Sequence, residues 1–428
     1  MRAPKHRSTA GLDWVHFFMA DLETGVGPFL AIYLTSVRHW DPATVGLVVA
    51  TQSIVSVLAQ APCGALVDAS RRKKWLAVIG AALIASGCFA VVLVPTMPQE
   101  LVNQSIIGLG SALYLPAIVA VSLGVVGRAR LPARIGRNEA MNHAGNVTFA
   151  VTAGLLASYL GQEAIFQAAA VASGSAAIAA ATLIRSRDVD DAEARGAAGA
   201  GPAGATAGGG ASAAAAGVRE LLTSGRIRAF VAVAFLFHLA NGAMLPLVGQ
   251  LLARSPGAPA YMSGCIVAAQ LCMIPVALLG AKYAARRGRK PVFLVGFAAL
   301  ALRGSMYALG EGPWFLISMQ ALDAVGAGIF GVLATVVAAD LARGTGRFNT
   351  LQGVMQSAVG LGAFASNLGA GVVVRHFGHD AGFVCLAGVA LVGLAVYARF
   401  VPETRVAGGP HEGPPSPLPL PRGVAPHA

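Results

Sequence analysis

The chain has 428 residues, of which 56% are hydrophobic and only 12% are charged, and its mean hydropathy is +0.67. A water-soluble protein has difficulty burying that much apolar surface, so the composition argues against a soluble globular fold and favours a membrane protein. The net charge of +12 could suggest nucleic acid, but the basic residues lie between apolar stretches rather than along one face. We therefore expect the lipid bilayer as a partner and no nucleic acid.

Apolar stretches long enough to cross a hydrocarbon core of about 30 Å as helices recur along the whole chain. They predict an all-α integral membrane protein with twelve transmembrane helices in two six-helix bundles, at residues 13–35, 43–66, 74–95, 101–126, 139–160, 164–185, 227–250, 261–282, 291–310, 314–340, 348–373 and 381–401. The first stretch follows basic residues, as in a signal peptide, but it continues to Leu34 and is too long for one.

The positions of the basic residues predict how the helices are oriented in the membrane. If the amino terminus is cytoplasmic, 27 of the 31 Lys and Arg residues fall on cytoplasmic segments. This bias follows the positive-inside rule, and an odd number of spans would destroy it. We therefore expect both termini in the cytoplasm. The Ala- and Gly-rich composition favours a bacterial inner (plasma) membrane.

The spans and the low-complexity segments divide the chain into four parts. Residues 1–185 and 227–401 are the two predicted bundles, residues 186–226 a flexible cytoplasmic linker, and residues 402–428 a disordered cytoplasmic tail. The two bundles resemble each other locally, since Gly136-Arg137 recurs as Gly346-Arg347 ahead of the eleventh span. Many carriers consist of repeated bundles with the substrate site at their interface, near the middle of the membrane.

The loop after the second span carries the most informative motif. It reads Gly64-Ala-Leu-Val-Asp68-Ala-Ser-Arg-Arg72-Lys73-Lys-Trp-Leu76, and the corresponding loop of the second half retains Gly288, Arg289 and Lys290. The first loop resembles the major facilitator superfamily signature G-x-L-x-D-x-x-G-R-K/R, with Arg71 in place of the usual glycine. The resemblance covers residues 13–401 and implies a secondary transporter whose two halves rock around a central site.

The motif residues are predicted to form a conformational latch. Asp68, at a helix end, can accept hydrogen bonds from a neighbouring helix terminus, and Arg72 can pair with a carboxylate across the seam between the halves. The alternative is that residues 71–74 only supply charges that orient the protein in the membrane.

Ionisable groups inside spans are candidates for proton coupling, because burying a charge in hydrocarbon costs roughly 2.5–3.5 kcal/mol on insertion scales. The candidates are Asp21, Glu23, His238 and Asp323. Asp21 is the first choice because it occupies the same repeat position as His238, and histidine titrates in the physiological range. Alternatively, the two first-span carboxylates face water, His238 only packs, and Asp323 forms a structural ion pair with Arg303.

Polar side chains on several spans predict a cavity lined by amides from both halves. The candidates are Asn142, His143 and Asn146 of the fifth span, Asn241 of the seventh, and Gln352 and Gln356 of the eleventh. The second and eighth spans contain further polar candidates, Gln52, Gln60 and Gln270, and the sequence does not show which way these side chains face. The alternative for each is a hydrogen bond that holds helices together.

The leading hypothesis is proton-coupled export of a small organic solute or drug. The alternatives are uptake of a metabolite or organic anion, and a transporter-like sensor that moves no solute. Gln104 stands where many family members have an arginine, four residues before the glycine of a G-x-G, which weakens the assignment to a drug exporter. We expect no enzyme activity, cofactor or metal, since catalytic and nucleotide-binding motifs are absent from the sequence, and we expect a monomer.

Overall fold

The computed structural model describes residues 6–20, 26–93, 96–127, 130–190, 218–343 and 347–404, and this part of the chain is helical without a strand. The first half contains α1 His6–Met19, α2 Gly27–Ser36, α3 Pro42–Ala69, α4 Lys73–Ala90, α5 Met97–Val126, α6 Leu131–Leu160 and α7 Glu163–Leu183. The second half contains α8 Gly225–Asn241, α9 Met244–Leu252, α10 Ala258–Arg287, α11 Arg289–Tyr307, α12 Pro313–Ser318, α13 Gln320–Leu341 and α14 Phe348–Phe400. The centre of the predicted linker and the tail beyond residue 404 lie outside the described residues.

These helices form twelve crossings in two six-helix bundles, so the predicted fold class is confirmed. The first, seventh and tenth crossings each consist of two helices: α1 with α2, α8 with α9, and α12 with α13. The long α14 provides the last two crossings, because Gly378 adopts φ 86° and ψ 170° and breaks the helix there. Length and hydropathy alone identify eight of the described stretches as spans. They miss the interrupted first crossing and the charged helices α6 and α11, and they count α14 once.

Several helices begin earlier than the hydropathy pattern predicts, and α5 and α6 do so with charged residues in the added turns. α6 begins at Leu131 rather than at residue 139, and α5 begins at Met97 rather than at residue 101. Hydropathy marks only the part of a helix that lies in hydrocarbon, whereas hydrogen bonding continues the helix into polar surroundings. The additional turns contain Arg134, Arg137 and Glu100, which turn out to be among the most informative charged residues of the protein.

Close packing in the first half depends on small residues, as is usual where lipid removes the hydrophobic drive for helices to associate. α4 and α5 approach at Gly80 and Gly110, where a Cβ added to Gly80 would lie 2.8 Å from the backbone nitrogen of Tyr114. A larger residue at Gly80 would therefore push the two helices apart.

The second half is held together by a cluster of stacked aromatic rings. The ring centroids of Phe237 and Phe330 are 4.3 Å apart, and those of Phe293 and Tyr397 are 4.6 Å apart. Phe297 packs edge-on against Phe237 at 5.3 Å. Contacts of this kind add about 0.5–1.5 kcal/mol per pair beyond area burial, so the cluster ties α8, α11, α13 and α14 into one unit.

The two halves meet tightly at the end of the bundle that carries residues 36–41 and 375, here called the closed end. α3 packs on α14 there, with Gly371 so close that a Cβ on it would lie 2.6 Å from Pro42 O and 3.1 Å from the Cα of Gly46. α2 packs on α9, and α6 on α10, in the same part of the bundle. Arg375 also forms an ion pair of 3.5 Å with Asp41 across the seam.

A buried ion cluster joins α1 to the beginning of α6 at the opposite end. The Asp13 carboxylate accepts hydrogen bonds from Arg134 at 2.6 Å and from Arg137 at 2.7 Å. The Arg134 side chain is only 4% exposed, and it also donates to Asn138 and to the carbonyl of Thr9. Arg137, by contrast, is 66% exposed. Asp13 therefore neutralises a guanidinium that water barely reaches.

We expect Asp13→Asn to destabilise the protein by about 3 kcal/mol, because it leaves the buried Arg134 without a counter-charge. Arg137→Gln removes only an exposed partner of the same carboxylate and is expected to cost less than about 1 kcal/mol. Thermal or denaturant unfolding of the two purified variants in detergent checks this difference. Equal losses in both would show that burial of Arg134 does not determine the effect.

Candidate functional site

A cavity of about 280 Å³ lies between the two halves. Its lining residues come from α2, α3 and α5 on one side and from α8, α9, α11, α13 and α14 on the other: Gly27, Pro28, Val49, Gln52, Ser53, Gln104, Asn241, Gly242, Leu245, Pro246, Arg303, Asp323, Ala363 and Asn367. The break between α8 and α9 at residues 242–243 and the start of α2 at Gly27 both border it. Interrupted helices are tolerated at membrane depth where they line a cavity.

An ion pair between Arg303 of α11 and Asp323 of α13 is the strongest polar feature of the cavity wall. The Arg303 side chain is 2% exposed and that of Asp323 is 14% exposed. Arg303 also donates to the side-chain oxygen of Asn241 and lies 3.0 Å from the sulfur of Met244. The pairing with Arg303 that the sequence offered as an alternative for Asp323 is present, and the coupling role of Asp323 stays a prediction. Because the carboxylate keeps some exposure to the cavity, a solute or a proton can reach it.

Four amide side chains supply most of the remaining polar surface. Gln52 and Gln104 belong to the first half, Asn241 and Asn367 to the second. Asn367 donates to the carbonyl of Ala363 at 2.9 Å, which leaves its side-chain oxygen for other partners. Amide groups both donate and accept hydrogen bonds, so this wall can bind a neutral polar molecule from both sides.

The first proton-coupling candidates predicted from the sequence lie at positions that the structure does not describe. Asp21 and Glu23 are both outside the described residues. His238 is described, and its ring packs between Phe237 and Phe330, at centroid distances of 5.4 and 4.9 Å. One ring nitrogen lies 3.1 Å from the Ala234 carbonyl of its own helix. These are the contacts of a packing histidine, and His238 is not among the lining residues of the cavity.

Most of the predicted cavity residues lie elsewhere. On α6, His143 bridges the seam through a 2.6 Å hydrogen bond to Gln270 of α10, Asn146 is buried, and Asn142 is half-buried. On α14, Gln352 approaches Thr335 of α13 at 3.5 Å, and Gln356 is exposed. Of the six predicted cavity residues, Asn241 alone lines this cavity. The others lie on α6 and near the start of α14, where Gln352 and Gln356 precede the lining residues Ala363 and Asn367.

The first motif loop binds its own half in this structure. Lys73 is buried and donates to the carbonyls of Val67 at 2.8 Å and Ser70 at 2.7 Å, so it caps the carboxyl end of α3. Arg72 is exposed and precedes α4, while Asp68 is half-buried in the last turn of α3, and Gly64 is buried one turn earlier. The cross-seam pair predicted for Arg72 is not among the described contacts, and its role as a latch stays a prediction.

The second motif loop is anchored by the residues that follow the last crossing. Gly288 adopts φ 100°, and the Glu403 carboxylate accepts hydrogen bonds from the backbone N–H groups of Arg289 at 2.9 Å and Lys290 at 3.0 Å. Arg289 also forms an ion pair with Asp340 of α13. A carboxylate at a helix amino terminus is a favourable anion position, so Glu403 fixes the start of α11.

Charged groups at the closed end respond to pH. Burial raises the pKa of the Asp41 carboxyl, but hydrogen bonds from Thr44 and Ala43 and the nearby Arg375 outweigh it and hold the pKa below its usual value. Burial, together with the Arg254 cation beside it, lowers the pKa of His379 to about 4. His379 lies between the eleventh and twelfth crossings and accepts a hydrogen bond of 3.2 Å from Arg254.

We expect acidification to destabilise the protein through His379. Its pKa is about 4 in the folded protein and 6.5 ordinarily, so the unfolded chain binds the proton first as pH falls. The stability present above pH 6.5 is therefore lost progressively as pH falls towards 4. Thermal unfolding in detergent at several pH values, for the wild type and His379→Gln, checks this, because the variant should lose less stability across that window. Parallel curves would contradict it.

Comparison with known proteins identifies the family. The sequence profile of the Major Facilitator Superfamily matches residues 13–269 and 230–424. Two proteins named as MFS-type transporters, from two strains of Mycobacterium tuberculosis, are each 42% identical over 402 residues, covering 93% of this chain and 94% of the relative. The chain belongs to the Major Facilitator Superfamily.

Solved structures of other superfamily members share the fold. The nucleoside transporter NupG has a TM-score of 0.72 at 16% identity and covers 92% of this chain and 98% of its own. A D-xylose-proton symporter has a TM-score of 0.69 at 12% identity, covering 94% and 98%. A POT family transporter in complex with 5-aminolevulinic acid has a TM-score of 0.72 at 15% identity, covering 92% and 96%. At these identities the likeness shows the fold of this superfamily member and not its substrate.

Proposed function

We propose that this chain is a secondary transporter that moves a small, polar, hydrogen-bonding solute by alternating access, coupled to protons. The observation that carries the proposal is the cavity between the halves, which combines amides from both halves with a partly exposed ion pair. Transporters of this architecture bind substrate at the interface of their repeats and expose the site alternately by rocking one bundle against the other.

The size and chemistry of the cavity favour a small hydrophilic solute. At about 280 Å³ the cavity lies at or below the lower end of the range for drug-sized ligands, roughly 300–1,000 Å³. Drug pockets are lined mainly by apolar and aromatic side chains, whereas the lining residues here include four amides, a serine and two charged groups. A polar metabolite is therefore better supported as the solute than a lipophilic drug. The sugar-proton symporter and the nucleoside transporter among the structural neighbours are in keeping with such a solute.

The Arg303–Asp323 pair is the best-supported coupling element among the described residues. Protonation of Asp323 would weaken its hold on Arg303, and the guanidinium, which already donates to Asn241, would then be available to an acceptor on the solute. An ion pair at membrane depth is costly to build and usually has a functional role. Asp21 and Glu23 remain coupling candidates from the sequence.

We further propose that both termini face the cytoplasm of a bacterial plasma membrane. This follows from the 27 of 31 basic residues on segments that would then be cytoplasmic. The closed end then faces outward, and the structure represents an inward-facing state. In the outward-facing state Arg72 and Asp68 would approach the second half, as the resemblance implies.

The substrate class is tested by ligand-induced stabilisation of the purified protein. A ligand at 100 times its Kd raises the free energy of unfolding by about 2.7 kcal/mol, which increases the thermal midpoint. We expect one compound class among nucleosides, sugars, amino acids, short peptides, organic anions and lipophilic cations to do so. The effect should disappear in Gln52→Leu and Asn241→Leu and persist in Gln167→Leu, whose side chain is exposed on α7. Stabilisation by lipophilic cations alone would contradict the proposal.

A further inference from the structure

Glu100 is a buried carboxylate that the cavity does not account for. It lies in the first turn of α5 and is 1% exposed. Neither of its carboxylate oxygens makes a hydrogen bond within 3.5 Å in the described part of the chain, and burial outweighs the support that the nearby Asn103 side chain gives the ionised form. Burying an ionised carboxylate without a partner is far more costly than burying a neutral acid, so this position favours the protonated form.

Two further polar side chains, each with an unpaired amide nitrogen, lie on the same face of α5. Asn103 and Gln104 are three and four residues beyond Glu100, which places all three side chains together. The side-chain nitrogens of Asn103 and Gln104 are buried and make no hydrogen bond within 3.5 Å among the described residues, while the Asn103 oxygen accepts one from Gln99. Gln104 also lines the central cavity. A row of unsatisfied polar groups therefore leads from Glu100 to the cavity within one helical turn.

The nearest cation is engaged elsewhere. Arg38 attracts Glu100 electrostatically, but its guanidinium donates to the Tyr33 hydroxyl and lies 5.1 Å from the centre of that ring. The Nε of Arg38 is buried and has no partner in the described structure. The other titratable groups at this end include His39, Asp41, Cys88, Tyr159 and Glu163 of the first half and Arg254, Glu311, Arg375 and His379 of the second. Arg38 is thus the cation that can pair with an ionised Glu100 by turning away from Tyr33.

We propose that Glu100 is a proton-binding site of the first half, connected to the central cavity through Gln104. In the state seen here Glu100 holds the proton and Arg38 binds Tyr33. When the closed end opens, water reaches the carboxyl, the proton passes to water, and Arg38 turns to the carboxylate that is left. This inference rests on the proposed proton coupling, and it adds a second proton site in the half opposite to Asp323.

Infrared difference spectroscopy tests the site without requiring a substrate or transport. Near neutral pH the reconstituted wild type should show a protonated-carboxyl stretching band that is lost in Glu100→Gln. It should be retained in Glu311→Gln, which alters an exposed carboxylate that pairs with Arg254. Tyr33→Phe frees Arg38 and should weaken the band, which provides a second variant if Glu100→Gln fails to fold. A spectrum unchanged by both Glu100→Gln and Tyr33→Phe would overturn the proposal.

The connection to the cavity is tested by the rate at which the same band shifts in deuterated water. Gln104→Leu should slow the exchange of the Glu100 proton, whereas Gln167→Leu should leave it unchanged. Exchange that is equally fast in both would refute the path through Gln104. Both measurements are spectroscopic and need no substrate. They therefore test the Glu100 site even if the screen finds no substrate, so failure of this proposal can be told apart from failure of the proposed function.

Discussion

Asp323→Asn is expected to abolish proton-driven solute accumulation in proteoliposomes and to lower the stability of the protein. The amide cannot release and rebind a proton, so the release of Arg303 can no longer follow the proton gradient. It also leaves a guanidinium that is 2% exposed without its counter-charge. Breaking a buried pair from one side typically costs about 3–5 kcal/mol. Accumulation and the thermal midpoint are measured on the same preparation.

A double variant separates the coupling role of this pair from a structural one. Arg303→Met combined with Asp323→Leu removes both charges, and replacing a buried pair by apolar residues of similar volume is often neutral or stabilising. We expect this variant to regain the wild-type thermal midpoint while proton-driven accumulation stays absent. If accumulation returned together with stability, the pair would be structural, and the coupling group would have to be sought among other carboxylates.

Gly46→Leu is expected to stop transport because it prevents the two halves from meeting at the closed end. A Cβ at Gly46 would overlap the carbonyl oxygen of Asn367 and lie 3.1 Å from the Cα of Gly371, so no leucine side chain fits while α3 and α14 remain in contact. The halves should separate at this end. Spin labels on cysteines introduced at Asp41 and Arg375, which form the ion pair in the wild type, report the separation by pulsed EPR.

The matched control is Gly369→Leu on the same α14, where a Cβ would meet no atom within 4 Å. It should leave both the label distance and the transport rate near wild type. An unchanged distance in Gly46→Leu would mean that the glycine contact does not hold the closed end together. A similar increase in both variants would point to a general loosening of α14.

The sequence predicts the fold well because the positions of a membrane protein's helices depend on hydropathy and charge, which can be read directly from the sequence. Each crossing needs a long apolar stretch, and basic residues mark the segments between them. The predicted helix boundaries are less accurate. The apolar window starts at residue 101 and so excludes Glu100, and it starts at residue 139 and so excludes Arg134. A hydropathy window does not detect polar residues in the first turns of a helix.

The site is predicted only in part, for a physical reason. A helix that is apolar all round has no amphipathic period to show which polar residue faces the cavity. Gln52 and Gln270 are equivalent candidates in the sequence, yet Gln52 lines the cavity and Gln270 bonds His143 at the seam. The Arg303–Asp323 pair is predictable because two opposite charges in neighbouring spans must neutralise each other.

The most direct test of the central claim is the pH change that a solute causes in proteoliposomes containing the purified protein. We predict that one class of small polar solute causes a proton flux, and that Asp323→Asn abolishes this flux. Proton flux driven only by lipophilic drugs, or none with any compound while the protein is correctly folded and oriented, would contradict the account.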